Sequence, residues 1–201
     1  MKKFLFVGVV TIFVSCLSVS CDNPRNSQDK PGQRKTDSTE ILQVMRTAYK
    51  WHETKGRNIL DFEILIKDSF QVGIDTMKFK SALSALKNTN YFSADFLKNY
   101  EAIGHETDYE LKHGKFYNEI NFSFQDADPW NGFQDSAGIY WNTWQISDLK
   151  INADTASLNW KLGGQYPTEK YLVKFKREDT AWRIAYMQGF DFNSQGFTVH
   201  K

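Results

Sequence analysis

The chain has 201 residues, 41% hydrophobic and 15% aromatic, which suits one domain with a packed core and excludes a disordered polypeptide. Its 25 basic and 24 acidic side chains nearly cancel, and no basic stripe or nucleic-acid motif stands out, so nucleic acid is excluded as a partner. The two cysteines, Cys16 and Cys21, lie close to the N-terminus, leaving the body of the chain without disulfides, thiolate metal ligands or cysteine catalysis.

Lys2 and Lys3 precede an apolar run over residues 4–14, and small residues follow at Ser15, Ser18 and Ser20. This is the layout of a secretory signal peptide over residues 1–20, too short to span a bilayer. Leu17-Ser18-Val19-Ser20-Cys21 resembles a bacterial lipobox, with Ser18 where a leucine is usual. Cleavage before Cys21 would make it the lipidated first residue and anchor the protein to a membrane of the bacterial cell envelope. Residues 21–37 carry no large apolar side chain and are expected to form a flexible tether, reaching at most roughly 50 Å when extended.

Asp37 with Glu40 marks a helix start, after which Ile41, Met45, Ala48 and His52 recur at helical spacing beside Leu42 and Tyr49. An amphipathic first helix ending near Gly56 follows, with His52 as a packing residue rather than a base. From Ile59 to Ile74 the apolar spacing is too irregular to assign. Phe79, Leu83 and Leu86 indicate a second helix, and a third begins after the N-cap Ser93, with Phe96, Leu97, Tyr100 and Ile103 on one face. Lys112 and His113 before Gly114 suit its C-terminus. His105, Glu106 and Asp108 lack the two-histidine spacing of a metal site, and no metal or cofactor is expected.

Alternation returns from Phe116 to Phe124, which reads as a strand. It is clearest over Ala156, Leu158, Trp160 and Leu162, then Tyr171, Val173 and Phe175, then Trp182, Ile184 and Tyr186. Short connections through Gly163-Gly164 and Arg177 to Thr180 predict an antiparallel meander. Helices first and strands afterwards give an α+β fold, a single domain over residues 38–201 with its N-terminal helices on one face of a curved antiparallel sheet.

Between the two halves runs Asp126-Ala127-Asp128-Pro129-Trp130-Asn131-Gly132-Phe133-Gln134-Asp135, the densest gathering of carboxylate, amide and aromatic groups in the chain. Its aspartates read first as turn caps, since Asp-Pro and Asn-Gly are turn formers. A calcium loop would need the alternating acids and terminal Glu that are missing here. Acid–base chemistry would need one carboxyl of a pair held neutral by its surroundings. Trp130, Tyr140, Trp141 and Trp144 read as core packing for at least half of them, the rest as a recognition face. Asp128, Trp130, Gln134 and Asp135 are the candidate binding residues.

The order of elements, with Ala48-Tyr49-Lys50-Trp51 in the first helix, Asp128-Pro129, Gln134-Asp135, Asp154-Thr155-Ala156 and the closing Trp182-Arg183-Ile184, resembles the nuclear transport factor two-like, or cystatin-like, superfamily. More narrowly it resembles the bacterial lipoprotein family called domain of unknown function 3828. The resemblance implies a cone-shaped fold and an envelope location, and carries over no catalytic residues. The expected role is non-enzymatic binding of a small molecule, glycan or envelope protein through the cone pocket and the 126–135 loop. Alternatives are an isomerase- or hydrolase-like enzyme using Asp128 or Asp135 as base, and an inhibitor or immunity protein.

Overall fold

The computed structural model describes residues 31–56, 62–114, 116–117, 128–132, 144–161 and 170–191. Helix α1 (Pro31–Trp51) runs on into a π-helical turn, His52–Gly56. A hairpin of β1 (Ile64–Lys67) and β2 (Phe70–Ile74) follows, then α2 (Thr76–Thr89), α3 (Ala94–His113) and the short β3 (Phe116–Tyr117). Four further strands follow, β4 (Gln145–Asn152), β5 (Thr155–Lys161), β6 (Tyr171–Glu178) and β7 (Ala181–Met187), and then a short 3-10 turn, Gln188–Phe190. The class is α+β, and among the described residues the strands form two antiparallel sheets, β1-β2-β3 and β4-β5-β6-β7, where one curved sheet was expected.

Local chemistry accounts for the helix ends. The Asp75 carboxylate accepts from the backbone N–H groups of Met77 and Lys78 at 2.9 and 3.0 Å, and the Ser93 hydroxyl accepts from Phe96 N–H at 3.2 Å. Asn90 ends α2 in the left-handed region, with φ 58°. The β1–β2 turn is made by Asp68 and Ser69, both at positive φ, the backbone of a tight two-residue hairpin loop.

Helix α1 begins at Pro31, so residues 31–37, expected in the tether, are helical. Asp37 is not a cap but a buried member of the helix interior. Its Oδ1 accepts from Arg177 Nη2 at 2.5 Å and from Trp182 Nε1 at 3.2 Å, joining α1 to β6 and β7.

The meander has the expected phase. Leu158, Val173 and Ile184 are buried on the inner face with Trp160, Phe175 and Trp182, against Ile41, Met45, Ala48 and Tyr49 of α1. Tyr186 departs from that phase. A bulge places Phe175 opposite Ile184 but Lys174 opposite Tyr186, and the extra residue, Ala185, turns Tyr186 to the outer face. A second bulge breaks the β4 pattern at Asp148, which has φ 57°.

Candidate functional site

The described part of the central loop, residues 128–132, is a turn used as an internal plug. Asp128 Oδ1 accepts from Trp130 N–H and Oδ2 from the Asn131 amide, both at 2.8 Å, while its carbonyl accepts from Gly132 N–H at 2.7 Å. Two tyrosines then grip consecutive carbonyls. Tyr49 donates to Trp130 O at 2.9 Å and Tyr171 donates to Pro129 O. Gly189 passes so close that a Cβ there would collide with the Pro129 backbone.

Trp130 is fully buried. Its ring stacks on His52 at 4.0 Å and 11° and meets Tyr49, Phe92 and Phe190 edge-on. Tyr49 also accepts from Trp160 Nε1 at 3.1 Å and touches Trp144. Burial pushes the Tyr171 hydroxyl pKa up, and the nearby Asp128 carboxylate adds to the rise. Of the four candidate residues, Asp128 and Trp130 therefore serve the turn and the core. Gln134 and Asp135 lie outside the described residues, as do Cys21, Asp126, Tyr140 and Trp141.

Asp108, Lys112 and His113, also singled out in the sequence, have structural roles. Asp108 accepts from Ile74 N–H at 3.0 Å and pairs with Lys112, tying α3 to β2. His113 lies 2.8 Å from the Tyr109 carbonyl and stacks on its ring. Among the described residues no group of histidine, cysteine and carboxylate side chains could hold a metal.

An open recess of about 570 Å³ lies instead on the outer face of the four-stranded sheet. The registers build it. Lys150 pairs with Ser157, Ser157 with Lys174, and Lys174 with Tyr186, so one rank of side chains crosses all four strands. The next rank on that face is Asn152, Thr155 and Lys176, and Asp95 from the first turn of α3 closes one side.

Its charges are unevenly matched. Lys176 lies 2.8 Å from Asp95, a hydrogen bond that raises the lysine pKa. Thr155 is engaged with the Asn152 carbonyl at 3.0 Å. Lys174 sits 4.6 Å from the centre of the Tyr186 ring. Burial and a hydrogen bond to Asp191 push the Tyr186 pKa up to about 12, keeping it neutral. Among the described residues neither Lys150 nor Lys174 has a carboxylate partner. The lining thus holds three ammonium groups against one carboxylate, a net charge of +2.

No family model, no curated protein and no solved structure matches the chain.

The recess escaped the sequence reading because its lysines alternate with core residues, the ordinary pattern of a solvated strand face. The available signal was the spacing of Lys174 and Lys176 on one strand, with Lys150 two strands away. Only the register turns that spacing into a constellation.

Proposed function

We propose that the chain is a lipid-anchored, non-enzymatic binding module of the bacterial envelope, with the cone-shaped fold of the superfamily it resembles. Its ligand is received in the recess on the outer face of the four-stranded sheet, between Lys150 and Tyr186. The observation that carries this reading is the engagement of the 128–132 turn. Asp128 uses both carboxylate oxygens on neighbouring N–H groups, and the Trp130 ring fills the interior where a cone pocket would open. A base for isomerase or hydrolase chemistry needs a free carboxylate facing substrate; of the two aspartates that could serve, Asp128 does not offer one, and Asp135 lies outside the described residues. The lipobox-like segment before Cys21 and the polar stretch after it support lipid anchoring through that cysteine.

One observation favours a second reading, an interior ligand. The indole N–H groups of Trp130 and Trp144 are buried without a hydrogen-bond partner among the described residues, and a ligand acceptor would satisfy them. NMR with a small-molecule and glycan-fragment library separates the two. Shifts confined to the resonances of Lys150, Ser157, Lys174 and Tyr186 are expected. Hits that move the Trp130 or Trp144 indole protons instead would overturn the outer-face reading.

A further inference from the structure

We propose that the outer-face recess takes a compact dianion of the phosphomonoester class, held between the ammonium groups of Lys150 and Lys174 above the Ser157 hydroxyl. The inference rests on reading that recess as the binding site, and it names the ligand chemistry.

Ser157 stands between the two lysines in the rank, one strand from each. At a strand spacing of about 4.8 Å their backbones are about 10 Å apart. Two four-carbon stems leaning inward can close that gap around one tetrahedral oxyanion.

The neighbouring groups leave these two cations available. Lys176 is paired to Asp95 and Thr155 to a backbone carbonyl, whereas Lys174 has only a ring face beside it. That contact is weak at an exposed site and removes no charge. A net charge of +2 matches a dianion. A monocarboxylate or phosphodiester would leave one ammonium uncompensated, whereas a phosphomonoester carries a charge of about −1.5 to −2 at neutral pH and three acceptor oxygens. Two lysines and a hydroxyl supply donors to those oxygens.

Calorimetric and NMR titration of the purified protein with inorganic phosphate, glycerol 3-phosphate, sulfate and acetate tests this at low ionic strength, where screening is weak. Phosphate and glycerol 3-phosphate should bind, shifting Lys150, Ser157 and Lys174, and acetate should bind at least about tenfold more weakly. Glycerol 3-phosphate affinity should fall between about pH 8 and about pH 5, as the second proton of the monoester returns near pH 6, while sulfate affinity holds steady. Lys150→Gln and Lys174→Gln should each weaken phosphate about tenfold. Lys80→Gln, on the exposed face of α2, should not, and thermal melts should confirm that all three variants fold.

Vesicles of phosphatidylcholine with phosphatidic acid identify the source. Recruitment lost in Lys174→Gln supports a lipid headgroup, and binding of soluble esters alone supports a free metabolite. Acetate binding as tightly as phosphate, or phosphate binding unchanged in both lysine variants, would overturn the proposal. If uncharged ligands move the recess resonances while neither phosphate nor the vesicles bind, the dianion is refuted and the outer face stands. If ligands move only the indole protons of Trp130 and Trp144, both fail.

Discussion

Replacing Tyr49 by Phe removes a single oxygen from the centre of the molecule. Tyr49 is 0% exposed, and its ring contacts with Trp130, Trp144 and Trp160, at centroid distances of 5.4, 5.0 and 5.5 Å, survive the change. What disappears is the hydroxyl that donates to the Trp130 carbonyl at 2.9 Å and accepts from Trp160 Nε1–H at 3.1 Å. Two buried hydrogen bonds at about 1 to 1.5 kcal/mol each give a loss of about 2–3 kcal/mol. In a domain of this size each kcal/mol shifts Tm by about 2–4 °C, so the fall should be about 4–12 °C. Tyr186→Phe is the control, because it removes one hydroxyl bond, to Asp191, at the sheet surface. It should cost less than about 1 kcal/mol. Calorimetric melts of both variants decide the matter. A Tyr49→Phe fall of under about 2 °C, or one equal to that of Tyr186→Phe, would refute the idea that the 128–132 turn is held as a plug by this hydroxyl.

Asp37→Ala should lower stability by about 2 kcal/mol, less than a fully buried pair, because Arg177 is 20% exposed and keeps its contacts with Asp154 and the Trp182 ring. Denaturant unfolding checks this, and no change would mean that Asp37 does not tie α1 to β6 and β7. Gly104→Ala drives a Cβ into the Phe79 ring and should destabilise by about 1–3 kcal/mol in the same assay. The Asp148 carboxylate is held at a pKa of about 2, first by its hydrogen bond from Lys170, then by Asn159 and Ser147. A pKa lowered by folding adds stability that is present above the ordinary 3.8 and is lost as pH falls through about 2. Asp148→Asn should therefore flatten the acid limb of the stability curve between those values. Lys170→Gln should move the Asp148 carboxyl titration, read by carbon NMR, back toward 3.8.

Where a property depends on neighbours along the chain, the residues alone disclosed it. The period-two runs through Leu158, Val173 and Ile184 announced three strands and their inner face, because a one-residue slip would put every one of those side chains in water. Ser93 and the apolar positions after it announced α3, since an N-cap and a helical stripe are both local. The β1–β2 hairpin stayed hidden because its strands are short and its turn uses Asp68 and Ser69 at positive φ, without the glycine that usually signals one. Strand β4 was obscured by the bulge at Asp148, which interrupts its alternation.

Properties that depend on distant partners had to wait for the fold. Asp37 looked like a cap until Arg177, 140 positions away, was found beside it. Asp128 was legible as a turn cap and Trp130 as a core aromatic, but only the fold shows Tyr49 and Tyr171 holding that turn inside the core. The outer-face recess belongs to the same kind. Its rank of Lys150, Ser157, Lys174 and Tyr186 comes from three separate strand registers and one bulge. Pairing between strands is a long-range choice, made by the burial of the opposite face, and no stretch of the chain encodes it alone.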